Sequence, residues 1–144
     1  MKPRTGQRLA LFLTAALMLG ASDAQAGDPA AGEKVFSKCK VCHSITAPDG
    51  TAIQKGGKVG PNLYGVVGRQ AGAAPDFKYG DSLVAAGVAG LIWDEAKIAQ
   101  YDPDPGKFLA TFLNDPNAKS KMMFKLPSGA EDVAAYLASV GPAN

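Results

Sequence analysis

Cysteine, histidine and tryptophan are scarce in this chain of 144 residues, which has two, one and one of them. The two cysteines, Cys39 and Cys42, are only three positions apart. They cannot build the disulfide framework that holds many small secreted domains together. A zinc site would need four ligands, and Cys39, Cys42 and the lone His43 leave it one short. A thioredoxin-like C-x-x-C needs a βαβ setting, and no run alternates well enough to be a strand. Internal repeats and low-complexity tracts are also missing. Beyond the first twenty residues no apolar run approaches the roughly 20 residues needed to span a bilayer.

Charge of one sign is missing as well. The formal net charge is +2, but that surplus sits at the start. Residues 1–8 carry Lys2, Arg4 and Arg8, residues 9–20 (LALFLTAALMLG) are almost wholly apolar, and ASDAQA ends in an A-x-A site at Ala24–Ala26. A basic segment, a short apolar segment and a small-residue site make a secretory leader, with cleavage expected between Ala26 and Gly27. Residues 1–26 are therefore read as a cleaved signal peptide and 27–144 as one domain of 118 residues. Without the leader the chain has twelve basic and twelve acidic side chains, which gives no case for nucleic-acid binding.

Helix signals dominate the remainder. Asp28-Pro29 offers a cap and a first-turn proline, and Val35, Phe36, Cys39, Cys42 and His43 recur at helical spacing. The pattern predicts a helix over 29–42. Residues 44–80 hold eleven Gly and Pro residues and read as a long loop with at most one turn of helix. Such a loop is unusual in a small domain unless it wraps a large ligand. Asp94 is expected to cap a helix running to about Tyr101. Asp104-Pro105 starts another, with Phe108, Leu109, Phe112 and Leu113 on one face, ending before Pro116. Ser128-Gly129-Ala130-Glu131 reads as a capping box opening a last helix with Val133, Tyr136, Leu137 and Val140 inward, closed by Gly141-Pro142.

Cys39-Lys40-Val41-Cys42-His43 is C-x-x-C-H, the attachment sequence of c-type haem. On one helix face, thiols at i and i+3 can form thioethers to two vinyl groups on one porphyrin edge, and His43 can turn its imidazole to the iron. Export agrees, since bacterial haem attachment takes place outside the cytoplasm. After leader removal the only methionines are Met122 and Met123. A His/Met iron is thus the one low-spin pairing of the usual types that the sequence can supply. A thioether favours ferrous iron and raises the potential. If both methionines were core filler, the iron would be five-coordinate and open to gases or peroxide.

The residues resemble the class I c-type cytochromes, specifically the cytochrome c2 group of alphaproteobacteria, which includes Paracoccus-type cytochrome c-550. The likeness covers residues 27–142. GDPAAGEKVFSKCKVCHSI, KVGPNLYGVVGR (58–69), FKYGDS (77–82), Trp93, KSKMMFKL (119–126) and EDVAAYLASV (131–140) match in order. The resemblance implies an all-α cytochrome c fold of four to five helices whose long loops wrap one covalently bound haem c. It implies Met122 rather than Met123 as the ligand opposite His43, with the Pro61 carbonyl accepting the His43 Nδ1–H. Tyr79 and Trp93 would donate to a buried haem propionate, with Arg69 close by. Gly32, Phe36 and Tyr136 would form the crossing of the first and last helices. Pro103 departs from the family pattern. Proline disfavours helical geometry in the residue before it, so the fourth helix is expected to end near Tyr101, weakening that tyrosine's usual contact.

The implied function is a soluble, monomeric periplasmic electron shuttle and not an enzyme. It would run from the cytochrome bc1 complex to a photosynthetic reaction centre, a terminal oxidase or a periplasmic reductase. Lys34, Lys38, Lys40, Lys55, Lys58, Lys119, Lys121 and Lys125 cluster in sequence around the two iron ligands, while acidic residues fall largely elsewhere. That distribution predicts a positive docking face around the haem edge, acting through a dipole because the net charge is near zero.

Overall fold

A computed structural model describes residues 26–142. The leader falls outside that range except for its last residue, Ala26. Asp28 caps α1 (Pro29–Phe36), its carboxylate accepting from the Ala30 N–H at 2.9 Å. The helix ends there and does not run to 42. Beyond Phe36 the backbone tightens into three-residue turns, with Lys38 N–H donating to Val35 O, Cys39 N–H to Phe36 O and Cys42 N–H to Cys39 O.

The loop contains structure of its own. β1 (Ile45–Thr46) and β2 (Ala52–Gln54) pair antiparallel with an irregularity between Ile45 and Thr46. This corrects the strand-free reading. A second short pairing sets Gln70 against Ile92, flanked by bonds from Gly68 N–H to Trp93 O, Trp93 N–H to Arg69 O and Ala71 N–H to Leu91 O. Where the sequence suggested at most a turn of helix, paired extended chain appears.

Four more helices follow. α2 (Asp81–Val88) has no side-chain cap. α3 (Glu95–Tyr101) is capped by Asp94, which accepts from Lys97 N–H at 2.7 Å. α4 (Pro105–Leu113) is capped by Asp104 and ends at Asn114 in the left-handed region. α5 is Ala130–Ser139. The end of α3 at Tyr101 matches the expectation, but not through a distorted Asp102, which keeps helical angles of −60° and −36°. The capping box is also absent. Gly129, at φ +83°, is the residue before α5 and makes no side-chain cap bond. Phe112, expected inward, is 37% exposed.

α5 packs against α1 and α3. Its Val133, Ala134, Tyr136 and Leu137 are buried. The α1–α5 crossing is backbone to backbone: a Cβ on Gly32 would sit 1.9 Å from Asp132 O. Phe36 and Tyr136 meet there with ring centroids 5.8 Å apart. The Asp132 carboxylate accepts the Asp28 N–H at 2.8 Å, so α5 supplies a bond at the start of α1. Gln54 Nε2 donates to Tyr136 Oη at 2.8 Å and fastens β2 to the same crossing.

Gly32→Ala forces the helices apart, because no rotamer relieves a clash with backbone. Its cost is expected at or above the upper end of the roughly 1–3 kcal/mol typical of overpacked cores. Guanidinium unfolding of the haem-loaded protein measures it. An unchanged midpoint would show that the crossing tolerates separation.

Candidate haem site

The helices and loops enclose a cavity of about 390 Å³, within the range of small-molecule and cofactor sites. Its wall includes Cys39, Cys42, His43, Pro61, Arg69, Tyr79, Trp93 and Met122. Every residue singled out in the sequence for cofactor binding therefore reaches one place.

The attachment motif lies in the tight turns after α1. Gly57 N–H donates to Lys40 O and Gly60 N–H to Cys42 O, each at 2.8 Å, which lays the next loop across the motif. A Cβ on Gly60 would be 2.3 Å from His43 Cε1, so only glycine lets the backbone pass the ring. His43 Nδ1 is 2.8 Å from Pro61 O. A carbonyl oxygen can only accept, so Nδ1 carries the proton and Nε2 keeps a lone pair. Burial lowers the His43 pKa and the Pro61 bond opposes that only in part, which favours the neutral ring. Burial likewise pushes the Cys39 thiol up to about 12, with the nearby charges of Asp102 and Cys42 adding to it.

Asn62 holds the other end of this loop. Its side chain accepts from the Thr46 and Tyr64 N–H groups and donates to Thr46 O. Arg69 donates to Tyr64 O at 3.3 Å and Asn62 O at 3.2 Å. Burial lowers its pKa, and the neighbouring Tyr79 opposes that. The pairing of 68–71 with 91–93 sets Arg69 beside Trp93. Trp93 is buried in an aromatic group with Tyr101, 5.0 Å away edge-on, and Phe108, 5.9 Å away and stacked. Among the described residues neither the Trp93 N–H nor the Tyr79 hydroxyl bonds another protein group.

The adjacent methionines differ. Met122 is half-buried and packs against the core, whereas Met123 is 83% exposed. Ser120 fixes the segment: its Oγ is 3.2 Å from Tyr101 Oη and accepts from Met122 N–H at 3.0 Å. Despite Pro103, Tyr101 thus remains linked to the methionine. Lys119 N–H donates to Ser82 Oγ and Leu126 N–H to Asp102 O, anchoring the segment at both ends.

The residues fit haem c. Two thiols and a neutral imidazole come from one tight turn, a soft thioether comes from a distant segment, and unpartnered donors stand beside a cation. Sequence reasoning missed three contributors. Asn62 was discoverable within G-P-N-L, Ser120 only through its contacts, and Asp102, a carboxylate on the cavity wall, had no apparent signal.

Among the described residues no helix is long and apolar enough to cross a membrane. No family model matches the chain. Cytochrome c2 of Rhodobacter capsulatus is 62% identical over 127 residues, covering 88% of this chain and 93% of that protein. Cytochrome c-550 of Paracoccus versutus is 51% identical over 121 residues, covering 83% and 78%. The solved structure of the Rhodobacter capsulatus cytochrome c2 superposes with a TM-score of 0.78 at 65% identity, over 79% of this chain and 98% of that one. Ferric cytochrome c-550 from Paracoccus versutus superposes with a TM-score of 0.78 at 49% identity, over 81% and 99%. Identity at this level over most of both chains, with the shared fold, means that the chain belongs to the cytochrome c2 group of class I c-type cytochromes, which are electron carriers and not enzymes.

Proposed function

We propose that the chain is a soluble periplasmic shuttle for single electrons, with one haem c joined to Cys39 and Cys42 and its iron held between His43 and Met122. The observation that carries this reading is the apolar cavity that gathers the C-x-x-C-H turn and Met122 from distant stretches of the chain. Haem c supplies there an iron that gains and loses one electron. His43 offers Nε2, steadied by the Pro61 bond to Nδ1, as a hydrogen bond to the far ring nitrogen generally orients a ligating imidazole. Met122 contributes a soft neutral donor that favours the ferrous state and closes the position oxygen would need. Trp93, Tyr79 and Arg69 receive the propionate, whose charge would be costly to bury alone.

The leader 1–26 delivers the chain to the periplasm. There it accepts electrons from the cytochrome bc1 complex and passes them to a reaction centre, a terminal oxidase or a periplasmic reductase. Lys38, Lys119 and Lys121 stand on the cavity wall, and all three are exposed, which supports a positive docking face around the haem edge. Lys125 is engaged by Asp104 at 2.7 Å, so Lys38 and Lys121 are the cleaner probes. Lys97 pairs with Asp94 and is not part of that wall.

Produced with its leader and a haem-attachment system, the protein is expected to begin at Gly27 and to carry one haem through two thioethers. Intact-mass and peptide analysis checks this. Mature protein with a Cys39–Cys42 disulfide and no haem would refute the reading.

Met122→Ala is expected to abolish the weak far-red band of methionine bonded to ferric iron, lower the potential and admit added ligands. Met123→Ala, on an exposed side chain, should leave all three unchanged. The reverse pattern would move the ligand by one residue.

Lys38→Glu and Lys121→Glu are expected to slow electron transfer to a membrane partner at low ionic strength, and Lys125→Glu likewise, while Lys97→Glu matters little. The wild-type rate should fall as salt rises toward ~0.1 M, where the Debye length is about 10 Å. Stopped-flow rates across a salt series decide it. Equal effects of all four substitutions, or no salt dependence, would place the docking face elsewhere.

A further inference from the structure

Asp102 is the one carboxylate on the cavity wall. Among the described residues its side chain has neither an ion-pair partner nor a hydrogen bond, whereas Asp94, Asp104 and Asp132 all have partners. Its backbone is fixed: the N–H donates to Ile98 O at the end of α3, and the carbonyl accepts from Leu126 N–H. Pro103 follows directly and restricts the chain further. The backbone that carries the carboxyl is thus anchored beside an apolar chamber, and Asp102 forms part of its wall.

The groups around it do little to offset a negative charge. From the turns after α1 come Cys39, which is neutral as a buried thiol and would be neutral as a thioether, and Lys38, which is exposed. α5 presents Val133 and Leu137 to the cavity. At the start of α4, Asp104 is already paired with Lys125, and Lys107 is exposed. Lys119 and Lys121 of the methionine segment are exposed as well. Arg69 bonds Tyr64 and Asn62 on its own loop, beside Tyr79. Among the described residues the Tyr101 hydroxyl bonds only Ser120 Oγ. Burial alone accordingly raises the Asp102 carboxyl to about 7.

We propose that Asp102 couples a proton to the electron carried: its carboxyl is protonated when the iron is reduced and gives up that proton when the iron is oxidised. This rests on the reading that haem occupies the cavity. On oxidation the electron leaves for the redox partner. The Asp102 O–H bond breaks, the proton goes to water, and the carboxylate keeps the bonding pair. Reduction reverses each step. The physical cause is that ferric haem carries one more positive charge than ferrous haem, which favours an adjacent carboxylate in a low-dielectric chamber. The carboxyl then has two pKa values, the lower one in the oxidised protein. Between them the equilibrium constant for reduction falls tenfold per pH unit, about 59 mV for one electron.

The test is a spectroelectrochemical titration of the haem-loaded wild type and Asp102→Asn from about pH 5 to about pH 9, bracketing the raised carboxyl. The wild-type potential should fall with pH through the neutral region. The Asn variant should stay near the wild-type acid limit and lie above the wild type in alkali. Any slope shared by both proteins belongs to other groups, the propionates included. Parallel curves would overturn the proposal while leaving the haem reading intact, and a protein that takes up no haem would overturn both. Should Asp102→Asn fold poorly, the reduced-minus-oxidised infrared difference spectrum of the wild type serves. A protonated carboxyl band should appear on reduction and shift when aspartate is labelled with carbon-13. A band unmoved by the label, or no band, refutes the assignment.

Discussion

At Gly32 the backbones of α1 and α5 touch with no side chain between them, and the position of everything else follows from that contact. A Cβ there would lie 1.9 Å from Asp132 O, so the approach distance is set by peptide groups and not by packing choices. With the helices locked at that distance, Phe36 and Tyr136 fill the angle between them. Asp132 completes the start of α1. The turns that leave α1 then join Val133 and Leu137 of α5 in the wall of one chamber. The cavity is the space left when a short chain is folded around a fixed crossing. A domain this small buries a modest share of its surface by itself, and a large apolar cofactor adds the missing contact area.

Much of this was legible in the sequence because the signals are local and chemical. Asp94 and Asp104 cap α3 and α4 where their side chains say they should, and C-x-x-C-H fixes the attachment turn without any knowledge of the fold. The failures have physical causes. The apolar spacing through Cys39 and Cys42 looked like a continuing helix, but those residues face the cavity from tight turns. The period there records where a ligand sits, not how the backbone hydrogen-bonds. α2, DSLVAAGV, was missed because its small residues give a weak pattern and Gly80 provides no cap. The Ser128–Glu131 box failed because Gly129 takes a left-handed turn against Val35, a tertiary contact invisible in the local sequence. Asp102 reads as one more acidic residue in a polar stretch until the cavity places it on an apolar wall.

The distribution of charge divides into two kinds. The lysines at the mouth of the cavity act at a distance through solvent, where salt screens them. The ionisable groups on its wall act at close range through a medium that screens poorly. Arg69 and His43 have backbone carbonyls as partners there, which fixes their orientation and protonation. Asp102 has no such partner among the described residues, and burial raises its carboxyl.

The segment carrying Met122, from Asn114 to Gly129, contains no helix or strand. It is tied down by a few separate bonds, chiefly those from Ser120, Lys119, Lys125 and Leu126. Such a stretch opens at a lower free energy than the cooperative helical unit it covers. His43, by contrast, is wedged between the Gly60 backbone and the Pro61 carbonyl. The two sides of the chamber therefore belong to different unfolding units. Under mild denaturing stress the sulfur side gives way first, as a local event, while the imidazole side and the helical frame persist until the whole domain unfolds.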